Sequence, residues 1–133
     1  MKYLLDTDIC IYIIKQNPSR IIKKFHSLNV GDICISSIAY AELQYGINKS
    51  QNPMRNKIAL AGFIAPIDIL PFSEKAAVTF GKIRSALERQ GQIIEPYDLL
   101  IAAQAISENL ILVTNNTREY SRIPELNIEN WAE

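Results

Sequence analysis

Histidine is nearly absent from this chain, with His26 the single example, and cysteine is scarce, with Cys10 and Cys34 far apart in apolar runs. One histidine cannot build a His-rich metal site. The two cysteines read as buried free thiols, not as a disulfide framework or a metal clip. An excess of charge is also missing, since 14 Lys and Arg balance 14 Asp and Glu. That balance removes any bulk pull toward nucleic acid, so an RNA contact would need a local basic patch. Long hydrophobic runs are absent as well. The longest, Ile9 to Ile14, is too short to cross a bilayer. The opening MKYLLDTDICIYII imitates a secretory leader, but Asp6 and Asp8 break its apolar stretch and no small-residue cleavage site follows. The expectation is a soluble, cytoplasmic protein. There the sequons Asn48-Lys49-Ser50 and Asn115-Asn116-Thr117 carry no meaning. No repeat, low-complexity tract or linker stands out.

What is present suits one compact domain over residues 1–133. Hydrophobic residues make up 48% of the chain, enough for a single buried core. Tyr3–Asp6, Ile33–Ser36, Ile67–Leu70 and Leu110–Thr114 read as short strands, with a weaker fifth near Asn127–Glu129. They lack strict alternation, the mark of parallel strands covered on both faces. Asn17 before Pro18 and Asn52 before Pro53 each place a capping residue ahead of a proline at the first helical position. Ser37 is expected to cap a helix to about Lys49. Ser73 is expected to cap another to about Gln90, stopped by Gly91. Glu95-Pro96 opens a helix ending near Asn109. This alternation predicts an α/β/α sandwich with a mostly parallel central sheet of four to five strands, whose ligands bind beyond the carboxyl ends of the strands.

Acids cluster at that edge in the predicted order. Asp6 ends the first strand and Asp8 opens the next helix. For Asp8, capping of free backbone N–H groups is the better reading, and for Asp6, at the strand tip, a functional one is. Glu42 lies in the helix after the second strand, among Ile38, Ala41 and Tyr45. It is either paired or metal-bound on a buried stripe, or solvated at the stripe's edge. Asp98 occupies the first turn of an apolar helix, where an acid also stabilises the macrodipole. Thr114, Asn115 and Asn116 follow the last clear strand and can form a plain turn or face the same edge. Glu119 is either a fourth acid or a solvated helix residue. Carboxylates packed together repel and cannot all stay ionised in a dry pocket. A divalent cation removes that conflict, and oxygen-rich sites suit Mg²⁺ or Mn²⁺ over zinc. Two ions roughly 4 Å apart can activate water and stabilise the leaving oxygen of a phosphodiester.

The motifs LLDTDICIY (Leu4–Tyr12), ISSIAYAELQYGINKS (Ile35–Ser50), EPYDLLIAAQA (Glu95–Ala105) and LVTNNTREYSRI (Leu112–Ile123) span nearly the whole chain. Together they resemble the PIN-domain family, and within it the VapC-type toxins of toxin–antitoxin pairs. The resemblance implies a PIN-like sandwich with Asp6, Glu42 and Asp98 at the three acidic metal-site positions. It puts Asn116 at the fourth position, which is acidic in many PIN nucleases and neutral here. It further implies Mg²⁺- or Mn²⁺-dependent endoribonuclease cleavage leaving a 3′-hydroxyl and a 5′-phosphate. The implied partners are a VapB-type antitoxin whose tail blocks the site and a second copy of the chain in a homodimer. The implied substrate is structured RNA, with the anticodon stem-loop of initiator tRNA preferred.

Three basic groups are candidates to track phosphates, or are ordinary solvated faces: Lys15, Arg20, Lys23 and Lys24; Lys49, Arg55 and Lys57; and Lys82, Arg84 and Arg89. Tyr12, Tyr45 and Tyr97 are candidates for base stacking or for packing, and Trp131 for pinning the C-terminal segment. Two rival readings fail on particular residues. Asp6-Thr7-Asp8 imitates the nucleophile motif of haloacid-dehalogenase phosphatases, yet no lysine follows Thr114 and Cys10 stands where threonine or valine is needed. A receiver-like domain would need an acceptor aspartate ending the third strand, whereas Asp68 lies inside it.

Overall fold

Apolar runs of three or four residues form strands when their neighbours hide both faces, and this chain supplies such neighbours from helices. The computed structural model describes residues 1–132. Strand β1 (Tyr3–Leu5) leads into helices α1 (Thr7–Ile14) and α2 (Ser19–His26). Strand β2 (Ile33–Ser36) leads into α3 (Ser37–Asn48) and α4 (Pro53–Ile64). Strand β3 (Asp68–Leu70) precedes α5 (Glu74–Arg89) and α6 (Pro96–Ser107). Strand β4 (Ile111–Val113) is followed by α7 (Thr117–Tyr120) and β5 (Ile128–Glu129). All strand pairs are parallel, in the order β3-β2-β1-β4-β5.

Alternate strand residues feed two separate cores, as the pleat requires. Leu4, Cys34 and Leu112 pack with Ile83 and Leu87 of α5, Leu99 and Ala102 of α6, and Tyr120. Tyr3, Leu5, Ile33, Ile35 and Val113 face the other way, onto Ile9 and Ile13 of α1, Ile21 of α2, Leu43 of α3 and Leu60 of α4. The result is the expected three-layer sandwich. Trp131 completes the second core, meeting Tyr3 edge-to-face with ring centroids 5.5 Å apart. Cys10 and Cys34 are free and buried. Burial pushes the Cys34 thiol up to about 11, so it carries no reactive thiolate at neutral pH.

The helix signals work with small displacements. Ser36, not Ser37, caps α3 by accepting from the Ile38 N–H at 2.9 Å. Ser37 instead accepts from the Phe72 N–H. Asn52 caps α4 ahead of Pro53 as expected. The matching expectation at Asn17 fails, because Pro18 itself holds the cap position of α2 and offers no side-chain bond. Ser73 caps α5, and Gly91, at φ +69°, ends it in the left-handed region that glycine enters without penalty. The expectation of strands covered on both faces holds for β1, β2 and most of β4, but not for β3. As an edge strand it leaves Asp68 and Ile69 exposed. No helix among the described residues is long and apolar enough to cross a membrane.

One buried polar side chain ties the segment after β3 to the core. Gln104 of α6, fully buried, donates from Nε2 to the Leu70 and Pro71 carbonyls at 2.8 and 3.1 Å. Gln104→Leu removes both donors and orphans those carbonyls. The expected loss is about 1–2 kcal/mol, read as a lower urea midpoint with an unchanged slope.

Candidate active site

In a parallel sheet the crevice lies where successive connections leave in opposite directions. Here β1 connects onward to β2 on one side, while β4 returns on its other side. The switch point is therefore between the carboxyl ends of β1 and β4, where Asp6 and Thr114 sit. Thr114 is fully buried and Asp6 is 5% exposed. The Thr114 hydroxyl donates to Asp6 Oδ2 at 2.8 Å, across 108 residues of sequence. Asp6 Oδ1 accepts from the Thr7 N–H at 2.9 Å, which makes Asp6 the cap of α1. The two aspartates thus exchange the expected roles in part. Asp6 both caps and occupies the crevice, while Asp8 lies inside the first turn with its Oδ1 buried and unpartnered.

From this pair a polar circuit runs through every element at the edge. Thr7 donates its hydroxyl to Glu42 Oε1 at 2.7 Å, bringing α3 to α1. Thr114 Oγ1 accepts from the Asn116 N–H at 3.0 Å. The Asn116 side-chain amide donates to Glu119 Oε2. Glu119 Oε1 accepts from the Glu95 N–H, and Glu95 Oε2 caps α6 by accepting from the Asp98 N–H, both at 3.2 Å. Asp6, Glu42, Asp98, Asn116 and Glu119 are therefore gathered at one place. Asn115 turns outward, donating to the Tyr12 hydroxyl. The Tyr120 hydroxyl is buried close to Asp6, with no hydrogen bond of good geometry.

The electrostatics reflect this crowding. Asp98 is pushed up to about 7, first by burial and then by the charges of Asp6, Glu119, Glu95 and Glu42. Asp8 is pushed up to about 6 by burial and by Asp6. Burial also raises Asp6 and Glu42, opposed by the hydroxyls of Thr114 and Thr7 respectively. Among the described residues, no Lys or Arg forms an ion pair with these acids. Arg84, a candidate to approach them, pairs with Glu88 at 3.3 Å on the exposed face of α5.

Does this donor set fit a divalent cation? It consists of hard oxygens only, crowded enough to resist full ionisation, with a buried carboxylate oxygen of Asp8 unpartnered. That chemistry suits Mg²⁺ or Mn²⁺. Among the described residues, however, no three His, Cys, Asp or Glu side chains stand together closely enough to hold an ion as they lie. Asp6, Glu42, Glu95 and Glu119 are instead turned to a hydroxyl, an amide or a backbone N–H. The residues fit the ion chemically, and Glu42, Asp98 and Glu119 are half-buried side chains among them.

Several of these participants were not legible as site residues. Thr7 and Tyr120 look like helix and core residues, and Glu95 like a simple helix-opening acid. The contiguous Asp6-Thr7-Asp8 was the available hint for Thr7. Of the two settings expected for Glu42, the edge of the stripe is the one found. Its neighbour Tyr45 is 68% exposed and Ala41 is exposed, so the stripe around it is half open, not buried.

A family profile described as PIN domain matches residues 3–126. The chain belongs to the PIN-domain family. It is 46% identical over 132 residues to the tRNA(fMet)-specific endonuclease VapC of Shigella flexneri, with 99% of each chain covered. It is 47% identical, with the same coverage, to Ribonuclease VapC2 of Haemophilus influenzae. Among solved structures, the DNA-bound VapBC of Salmonella typhimurium superposes with a TM-score of 0.93 at 45% identity, over 98% of both chains. The match places this protein in the VapC branch of the PIN family, and the fold expected from its motifs is the fold observed.

A carboxyl whose pKa is higher in the folded than in the unfolded state holds its proton more tightly when folded. Its contribution is fully present near pH 4 and is lost as pH rises through about 7 for Asp98. In chelator, the melting temperature is expected to fall from pH 5 to pH 8. Mn²⁺ should restore it more at pH 8 than at pH 5. Asp98→Asn should flatten the metal-free profile and raise its pH 8 value by a few degrees, measurable by calorimetry.

Proposed function

We propose that this chain is a Mg²⁺- or Mn²⁺-dependent endoribonuclease toxin of a toxin–antitoxin module, acting in the cytoplasm as one domain over residues 1–133. Its substrate is tRNA, with the anticodon stem-loop of initiator tRNA the preferred target. A VapB-type antitoxin neutralises it, and it forms a homodimer. The observation that carries the reading is the hydrogen-bonded circuit that gathers Asp6, Glu42, Asp98 and Glu119 at the β1/β4 crevice through Thr7, Thr114, Asn116 and Glu95, with no Lys or Arg among the described residues paired to them. The names of the relatives support the reaction class and the substrate.

Asp6, Glu42 and Asp98 would hold the ion, with Asn116 at the fourth position and Glu119 supporting it. When bound, a divalent ion supplies an activated water and charge stabilisation at the scissile phosphate. The chain's own part is positional. Thr114 and the Thr7 N–H fix both oxygens of Asp6, so the one buried ligand stays in register with the sheet. Thr7 orients Glu42, leaving its second oxygen free. Glu95, through the Asp98 N–H, holds the first turn of α6 against the crevice. Asn116 contributes an amide where a carboxylate would add further repulsion, and Glu119 beside it supplies the charge.

Sequencing RNA 5′-ends after brief expression, wild type against Asp6→Asn, tests the assignment. New ends confined to wild type are expected. Ends common to both would remove the enzyme reading. With purified protein, Asp6→Asn and Asp98→Asn should cut roughly a hundredfold more slowly or worse. EDTA should abolish cutting, and either ion should restore it.

A further inference from the structure

The crevice repels phosphate, and the chain has no net charge with which to attract it. Attraction must come from a local patch, and only some of the basic groups reach the right edge. Arg84 is spent on Glu88. Lys49 lies over the ring of Tyr45. The group on α2 is different. Arg20, Lys23 and Lys24 stand at i, i+3 and i+4, so they share one exposed face, opposite buried Ile21. That helix contains no acid.

These three side chains, with Glu129, Asn130 and Trp131, line an open hollow of about 580 Å³. Its location matters. β5 pairs with β4 in parallel, Val113 opposite Glu129, so Glu129 and Asn130 lie at the same carboxyl edge as Asp6 and Thr114. The strand order puts β4 between β1 and β5. Two strand spacings make the lateral distance from Asp6 about 10 Å. The gap is bridged by neutral polar groups. Asn130 Nδ2 donates to Asn115 Oδ1, and Asn115 Nδ2 donates to the Tyr12 hydroxyl, both at 3.4 Å. Bonds this long, between exposed or half-exposed side chains, are readily exchanged for phosphate oxygens. Asn115 directly follows Thr114, so the bridge ends at the catalytic crevice.

We propose that Arg20, Lys23 and Lys24 form a phosphate-binding subsite that holds the RNA backbone about one or two nucleotides from the cut, with Asn115, Asn130 and Tyr12 as the path between. This rests on the nuclease reading above. The Lys and Arg ends position the strand and carry no sequence information. RNA is favoured over an acidic protein segment because the hollow is continuous, through donor groups, with the place where a phosphodiester must lie. Beside those cations stand Asn130, buried Trp131, and Glu129, whose carboxylate accepts from Trp131 Nε1 at 3.1 Å.

The test uses the full chain with Mg²⁺ and a synthetic tRNA anticodon stem-loop. The neutral triple variant Arg20→Gln, Lys23→Gln, Lys24→Gln is compared with wild type and with a control, Arg55→Gln and Lys57→Gln. At moderate salt the triple variant should raise KM roughly tenfold or more while keeping kcat. The slope of log KM against log salt should drop by about 2, as three lost phosphate contacts to a single strand require. The control should change neither. Circular dichroism confirms folding, and each single Gln variant should give a partial effect. Wild-type cutting with an unchanged KM and salt slope in the triple variant would overturn the subsite and leave the nuclease reading intact. No metal-dependent cutting by wild type would overturn both. Unchanged RNA parameters combined with weakened binding of polyglutamate would assign the hollow to an acidic peptide and likewise overturn the proposal.

Discussion

Mutual repulsion among carboxylates at the mouth of β1 and β4 is the constraint to which the rest of this structure answers. Asp6, Glu42, Asp98, Glu95 and Glu119 come from four different helices or their caps, and no Lys or Arg among the described residues pairs with them. Such a group costs free energy in the folded state unless protons or cations intervene. The fold tolerates it by giving every one of these acids except Asp98 a neutral donor: a threonine hydroxyl, an asparagine amide or a backbone N–H at a helix start. These donors lie on rigid elements whose buried faces fill the two cores. Stability is therefore generated away from the crevice and partly surrendered there.

Helix starts do double duty in this arrangement. Asp6 and Glu95 are caps as well as members of the acidic group, and Asp98 lies in the first turn of α6. A capping interaction fixes a carboxylate's position more tightly than solvent would, and the N-terminal end of a helix favours negative charge. The competing structural explanations for these acids are thus part of how the site is held, since a cap leaves oxygen lone pairs available. The sheet adds the remaining order. Its central strand β1 is paired on both sides, and Asp6 follows it immediately.

Much of this was legible in the chain. All five strands, the long helices and the sheet-edge positions of Asp6, Glu42 and Asp98 could be placed from apolar runs, proline and glycine punctuation, and motif spacing. Periodicity failed where elements were too short to express it, as in α7 and the turn of 3-10 helix before β2. Single-residue errors at the caps of α2 and α3 arose because several capping residues stand side by side, and local chemistry does not choose between them. Asn17-Pro18-Ser19 and Ser36-Ser37 are such cases. The roles of Thr7, Glu95 and Tyr120 were hidden for another reason. They depend on which distant residue each side chain meets, and no local pattern encodes a partner 35 or 24 positions away.

The hydrogen bond from Thr114 to Asp6 spans 108 residues. During synthesis the aspartate emerges well before its partner and the strand that carries it. Every earlier nascent fragment lacks β4, and with it one wall of the crevice. Ribosome-bound intermediates and prematurely ended products consequently carry the acids without the geometry. The assembled centre comes into being only once β4 and Thr114 have emerged.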